Sequence, residues 1–283
     1  MRTIRNIYEA EYRPIADLKT YSPMPTANLR MIDPFLFLNH HGPQKYPPGN
    51  RGLPFGPHPH RGMETVTFIL DGDIAHKDSG GNKSVIESGG VQWMTAGSGL
   101  IHSEVSSEKF LKEGGDLEIL QLWVNLPAKL KMTDPFYKGL QKGEIPQVSF
   151  DDGKVTAQVI SGSLSDRRGA FETLSEIHLS TLFFKSGGVF STRVPKSHNI
   201  LCYVIRGEIR INGENIHSLK LVEFNNDDEQ LRIEALADSV VLFGHSEPFN
   251  EPVVARGPFV MNTVEEINQA YEDFQNGKMG RPA

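Results

Sequence analysis

Four side chains that could bind a metal ion lie in two short segments of the sequence. The first segment contains His58 and His60, and the second contains His102 and Glu104. Residues two apart on a β-strand point to the same face, separated by roughly 6.6–6.8 Å along the strand. If both segments lie on nearby inward-facing strands of one small barrel, three imidazoles and one carboxylate can converge on one point.

This donor set indicates which metals would be suitable. Imidazole and carboxylate ligands suit first-row transition metals such as iron, manganese, nickel, copper or zinc. Calcium and magnesium prefer shells made only of oxygen. A single His-X-His pair is often found on a protein surface, and Pro59 places this pair at a strand start or edge. The presence of two paired donor sets, each next to glycines, therefore predicts the metal site.

Other titratable residues in the same half of the chain are alternatives. Glu64 lies an even number of residues from His58 and His60, so it would share their strand face. His76 follows a turn, and we expect it to be structural or to support a ligand. Phe55 could line the pocket, although aromatic residues in a barrel more often belong to the core.

Two adjacent histidines and two tryptophans complete the set of candidates. Neighbouring residues on a strand face opposite ways, so at most one of His40 and His41 could point into a site. Their position before a Gly-Pro pair favours a loop or the surface. Trp93 and Trp123 could line a pocket, but a core position is the simpler interpretation.

Short runs of β-branched and aromatic residues alternate with turn signals along the whole chain. This pattern is typical of all-β barrels or sandwiches. The dipeptides Asp71-Gly72 and Asn212-Gly213 are hairpin signals. Predicted strands cover residues 65–70, 117–126, 155–160, 180–185, 201–205, 208–211 and 239–243.

Helical patterning is scarce and is clearest near the C-terminus. Asn262 is a candidate N-cap for a helix that reaches Phe274. The apolar pattern fades near residues 128–150, where charged residues, proline and glycine dominate. We therefore predict a barrel over residues 1–135, a linker over 136–150, and a second barrel with the C-terminal helix over 151–283.

Composition excludes several classes of protein. The 283 residues contain 29 Lys and Arg against 35 Asp and Glu, a net charge of −6, so we expect no direct binding of nucleic acid. Cys202 is the single cysteine, which excludes an intramolecular disulfide and thiolate zinc sites, and its apolar neighbours predict a core position. No apolar run is long enough for a membrane span, and no secretory signal is visible, so we expect a cytoplasmic protein.

Four motifs in this order resemble those of the pirin family, whose members are bicupins: HPHRGMETVTF, QWMTAGSGLIHSE, LQLWVNLP and GPFVMNT. The resemblance covers nearly the whole chain. It implies an all-β fold of two tandem cupin barrels, with a metal in the N-terminal barrel only. The implied metal is Fe(II), although nickel, zinc, manganese or copper would suit the same ligands. Met63 departs from the pattern, because many pirins carry an aromatic residue there.

The resemblance also implies which residues hold the metal. Carried over motif by motif, the ligands are His58, His60, His102 and Glu104. The broader cupin pattern can use a glutamate at the position of Glu64, which we instead expect to be a supporting or structural carboxylate. The second barrel should hold no metal, because its histidines are isolated in the sequence: His178, His198, His217 and His245.

Two functions follow from the resemblance. The first is a quercetin 2,3-dioxygenase type of activity, in which a flavonol and dioxygen react and Glu104 acts as base as well as ligand. The second is a non-enzymatic regulator that binds a protein partner and uses the metal as a structural or redox element.

Overall fold

The computed structural model describes residues 1–281 of the chain and consists mostly of β-strands. The strands are β1 (Ile4–Glu9), β2 (Glu11–Tyr12), β3 (Thr20–Met24), β4 (Phe35–Tyr46), β5 (Phe55–His60), β6 (Met63–Asp71), β7 (Asp73–Asp78), β8 (Lys83–Glu87), β9 (Val91–Thr95), β10 (Leu100–Val105), β11 (Gly115–Asn125), β12 (Phe136–Leu140), β13 (Gln147–Phe150), β14 (Val155–Ser161), β15 (Ser163–Leu164), β16 (Arg167–Arg168), β17 (His178–Phe184), β18 (Val189–Arg193), β19 (Asn199–Arg206), β20 (Glu208–Ile211), β21 (Glu214–His217), β22 (Lys220–Phe224), β23 (Gln230–Ala235), β24 (Ser239–Ser246), β25 (Val254–Arg256) and β26 (Phe259–Met261). The helices are α1 (Glu108–Glu113) and α2 (Val264–Gln275), with short 3₁₀ turns at Ala128–Leu130, Lys142–Glu144 and Asp151–Gly153.

One compact unit, here called the N-terminal unit, contains the candidate metal ligands. It comprises Tyr12–Tyr21, Phe37–Lys142 and residues 249–281. Its strands belong to a seven-stranded sheet in the order β12-β9-β6-β11-β4-β3-β2 and to a four-stranded sheet in the order β5-β10-β7-β8. The two sheets form the first cupin barrel.

The other unit, here called the C-terminal unit, comprises Met1–Glu11, Ser22–Leu36 and Gly143–Pro248. It repeats the pattern with a seven-stranded sheet, β1-β22-β19-β24-β17-β14-β13, and a four-stranded sheet, β18-β23-β20-β21. Its interior is an apolar cluster that includes Cys202, as the sequence predicted, together with Phe243. The all-β bicupin fold expected from the resemblance is confirmed.

The compact units do not follow the contiguous division at residues 1–135, 136–150 and 151–283. Strand β1 belongs to the C-terminal unit because it pairs with β22. Helix α2 belongs to the N-terminal unit, where its Ile267 packs with Ile101 and Phe259. The helix that the sequence assigned to the second barrel therefore packs on the first, because its apolar face is buried by residues distant in sequence.

The two predicted hairpins have different outcomes. Asn212-Gly213 joins β20 to β21, which pair with each other as expected. Asp71-Gly72 does not form a hairpin, because β6 pairs with β9 and β11 whereas β7 pairs with β8 and β10. Gly72, at φ +87°, instead marks a corner where the chain passes from one sheet of the barrel to the other.

The C-terminal helix forms where predicted, with its N-terminus shifted by one residue. Thr263, rather than Asn262, caps α2 and forms a reciprocal capping box with Glu266. The six-residue helix α1, capped by Ser107, was not predicted. Within residues 1–281, neither helix has the length and apolar character needed to cross a membrane.

Candidate metal centre

Two neighbouring strands of the four-stranded sheet carry the predicted ligands. His58 and His60 lie on β5, and His102 and Glu104 lie on β10. The antiparallel register places His102 opposite His58. Strand β5 is at the edge of its sheet, which tolerates Pro59 because an edge strand does not need every backbone N–H for pairing.

Three imidazoles meet at one point in this unit. One ring nitrogen from each of His58, His60 and His102 lies within 4.8 Å of the other two. The ring centroids are 4.4–5.0 Å apart, and Nε2 of His58 is 3.0 Å from Nε2 of His102. These three residues are the only such group found among residues 1–281.

Backbone carbonyls set the protonation of two of the rings. Nδ1 of His58 donates to the carbonyl of Gly56 at 2.7 Å, and Nδ1 of His60 donates to the carbonyl of Pro258 at 3.1 Å. Each Nε2 is thereby left with a lone pair. Burial lowers the pKa of His60 to about 3 and that of His102 well below its usual value, so both rings are neutral at physiological pH. Three converging imidazoles form a donor set that fits a first-row transition metal.

Glu104 is oriented by three neutral donors. Oε1 accepts hydrogen bonds from Thr67, at 2.9 Å, and from Gln92, and Oε2 accepts from Gln121 at 3.2 Å. The carboxylate lines the same cavity as His58, but it does not belong to the group within 4.8 Å. The structure thus brings the three histidines together and holds Glu104 beside them.

A chain of polar contacts extends from Glu104 to His76. Gln92, which donates to Glu104, accepts a hydrogen bond from the Tyr137 hydroxyl at 3.0 Å. The Tyr137 ring stacks on His76 with centroids 3.8 Å apart, and Nε2 of His76 contacts Asp78 at 3.0 Å. His76 is fully buried and held by Asp78, which agrees with a supporting role.

Glu64 lies away from the metal ligands. It is three residues from Thr67 on β6, so its side chain points to the opposite face of the strand. Its Oε1 accepts a hydrogen bond from Thr95 at 2.6 Å. Burial raises the pKa of Glu64 to about 7. The geometry therefore favours Glu104 over Glu64 at the metal centre.

A cavity of about 270 Å³ opens onto this centre. Its apolar walls are formed by Ile15, Phe37, Phe55, Trp123 and Pro258. Its polar groups are Asn39, His41 and Gln121, beside the predicted ligands His58, His60 and Glu104. Phe55 and Trp123 line the cavity, although the sequence favoured a core position for both, whereas Trp93 is buried away from the cavity wall as expected.

The prediction of a loop or surface position for His40 and His41 is wrong. Both lie on β4 and are buried, because β4 continues through the Gly-Pro pair that suggested a turn. The alternation argument is correct, since His41 lines the cavity while His40 faces the other way and contacts Glu118 at 2.9 Å.

Three histidines of the C-terminal unit also lie close together, which the sequence did not indicate. Nδ1 of His198 is 3.0 Å from Nδ1 of His245, and the His178 ring stacks on His245 with centroids 4.3 Å apart. They come from three separate segments with no local pattern. His217 is apart from them and exposed, 3.7 Å from Glu208.

Comparison with known families gives two matches along the chain. The family described as Pirin matches residues 17–124, and the family described as Pirin C-terminal cupin domain matches residues 181–280. A pirin-like protein of Caulobacter vibrioides is 38% identical over 257 residues, covering 89% of this chain and 90% of the relative.

Solved structures show the same fold. A quercetin 2,3-dioxygenase from Acinetobacter baumannii superposes with a TM-score of 0.93 at 33% identity, covering 99% of both chains. The Escherichia coli pirin YhhW, solved in complex with nickel(II), has a TM-score of 0.68 at 21% identity over 86% of this chain and 99% of YhhW. The similarity to YhhW concerns the fold alone.

Proposed function

The chain belongs to the pirin family, and from this premise we propose that it is a metal-dependent dioxygenase of the quercetin 2,3-dioxygenase type. In the proposed reaction, dioxygen opens the central ring of a flavonol and carbon monoxide leaves. The observation that carries the proposal is an aromatic-walled cavity lined by His58 and His60, two of the three converging imidazoles. The similarity to the Acinetobacter quercetin 2,3-dioxygenase supports it.

The proposed ligands are the three imidazoles with Glu104 as the fourth donor. We propose Fe(II) as the metal, and nickel, zinc, manganese and copper share the same preference for these ligands. When bound, such a metal supplies Lewis acidity, and iron also supplies redox chemistry toward dioxygen. The protein contributes the fixed tautomers of His58 and His60, which keep Nε2 unprotonated.

Glu104 is the proposed base. A carboxylate offers about four lone-pair sites. Gln92 and Gln121 donate to two of them, and Thr67 donates to a third when its single proton points to Glu104 instead of to Oε1 of Gln121, which is also 2.9 Å away. The remaining site is on Oε2, where a proton from the substrate hydroxyl can be held. This lone pair would either bind the metal or hold the proton, so Glu104 would act as base only while its Oε2 is not bound to the metal.

The cavity walls suit a flat aromatic substrate. The rings of Phe37 and Trp123 stack with centroids 4.6 Å apart, and Trp123 also contacts His60 at 5.2 Å between centroids. A volume of about 270 Å³ is near the lower end of small-molecule sites, about 300–1,000 Å³. These walls would hold a planar substrate next to His58 and His60.

The test is turnover by the iron-loaded protein. Given quercetin, we expect oxygen consumption and carbon monoxide release in equal amounts, both abolished in His58→Ala and retained in His198→Ala. Full iron occupancy without turnover of several flavonols would contradict the proposal and would favour the alternative, a regulator that binds a protein partner.

A further inference from the structure

His41 is a buried cavity residue for which the proposed reaction has no role. Its side chain lines the cavity, and the whole residue is only 3% exposed. Its Nδ1 lies 2.9 Å from the hydroxyl of Thr20, and among residues 1–281 its Nε2 has no hydrogen-bond partner. The ring is therefore held from one side and offers a polar atom on the other.

The contacts of Thr20 determine which atom of His41 carries the proton. The Thr20 hydroxyl also lies 3.4 Å from the carbonyl of Leu18, which can only accept. Both contacts are hydrogen bonds only if Thr20 donates to Leu18 and accepts from Nδ1–H of His41. This arrangement leaves a lone pair on Nε2. Burial lowers the pKa of His41 to about 3, so the ring is neutral at physiological pH.

The surroundings of His41 define the ligand group that would pair with it. Its ring lies 5.1 Å from that of Phe55, between centroids, and Phe37 and Trp123 form another wall of the same cavity. A neutral acceptor among aromatic walls is matched by a group that is flat, mainly apolar and a hydrogen-bond donor. A hydroxyl on an aromatic ring has these properties.

We propose that His41 is a specificity-determining residue that accepts a hydrogen bond from an aromatic hydroxyl of the ligand, distinct from the hydroxyl directed at the metal ligands. The inference deepens the proposed function and rests on it, because it assumes that the cavity binds a flavonol. A polar site that recognises a hydroxyl discriminates against analogues lacking it, because the buried acceptor is then left unpaired.

Binding without turnover tests this proposal. Zinc-loaded protein under nitrogen is titrated with quercetin, which has hydroxyls on its outer rings, and with 3-hydroxyflavone, which has only the hydroxyl of the central ring. Quenching of the fluorescence of Trp123, which lines the cavity, reports binding. In His41→Phe, we expect the affinity for quercetin to fall about 10-fold or more and that for 3-hydroxyflavone to stay within about twofold.

A second variant controls for misfolding of His41→Phe. His41→Gln keeps a hydrogen-bond acceptor and should recover part of the preference for quercetin. Equal losses for both ligands, or no loss for quercetin in either variant, would overturn the role of His41. Selective binding without turnover in the iron-loaded protein would instead reject the proposed reaction and keep the role of His41. Failure of the wild-type protein to bind either ligand would reject both.

Discussion

The two units each contain three neighbouring histidines, and only one set is arranged to bind a metal. In the N-terminal set, His58, His60 and His102, ring centroids are 4.4–5.0 Å apart. In the C-terminal set, made of His178, His198 and His245, they are 4.3–6.1 Å apart. The shortest distance between ring nitrogens is 3.0 Å in both sets. Proximity alone therefore does not separate them.

Orientation separates the two sets. The N-terminal rings are inclined to one another by 57–83°, so their nitrogens converge. In the C-terminal set, His178 and His245 stack at 13°, and His178 also contacts Glu176 and Ser163. Its nitrogens are engaged in hydrogen bonds instead of facing a common point. A metal site requires nitrogens that are both convergent and unprotonated.

The largest expected effect is the loss of one N-terminal imidazole. His60→Ala should lower iron affinity by about 100-fold or more. Losing a residue that only hydrogen-bonds to a metal ligand typically lowers affinity about 10–100-fold, and losing the ligand itself should lower it further. His178→Ala is the matched control and should leave the affinity unchanged. Equilibrium dialysis with metal analysis measures both variants. Equal losses in the two variants would remove the distinction between the sets.

A buried carboxyl in the N-terminal unit should make stability depend on pH. Because burial raises the pKa of Glu64 to about 7 from its ordinary value of 4.5, the folded state binds more protons than the unfolded state between these pH values. The stability that the protonated Glu64 carboxyl contributes is therefore fully present below about pH 4.5 and is lost as the pH rises through about 7. We expect Glu64→Gln to be more stable than wild type by about 3 kcal/mol at pH 8, with little difference at pH 4.5.

Denaturant unfolding of both proteins across this range measures the effect. A constant difference between Glu64→Gln and wild type at every pH would show that the Glu64 carboxyl does not titrate as described.

A smaller effect on function is expected when Glu104 loses one of its hydrogen-bond donors. Gln121→Met keeps most of the side-chain volume but removes the donor to Oε2, 3.2 Å away. Loss of such a contact near a metal should lower turnover of quercetin by about 10–100-fold, with the fold retained. Unchanged turnover in this variant, with the iron content of wild type, would show that the orientation of Glu104 does not matter for the reaction.

The local part of this site could be predicted from the sequence. Strand alternation places His58 with His60 and His102 with Glu104, and the structure agrees because both pairs lie on regular strands. The donors to Glu104 were missed, although each leaves a signal. Thr67, Gln92 and Gln121 each have apolar neighbours on both sides, and polar side chains that become buried in such strands normally have a hydrogen-bond partner.

The remaining features depend on contacts between residues distant in sequence. Asp71-Gly72 has the composition of a hairpin, but turn chemistry does not determine which sheet the next strand joins. The approach of His198 to His245 follows from the pairing of β19 with β24, which no local pattern reveals. The packing of Ile267 against Ile101 is similarly invisible to a local analysis.

The most direct test of this difference between the units is anomalous diffraction at the iron edge from crystals of the iron-loaded protein. We predict a single peak, coordinated by His58, His60 and His102 with the Glu104 carboxylate next to it. A peak among His178, His198 and His245, or the absence of one at the N-terminal set despite full iron loading, would contradict the account.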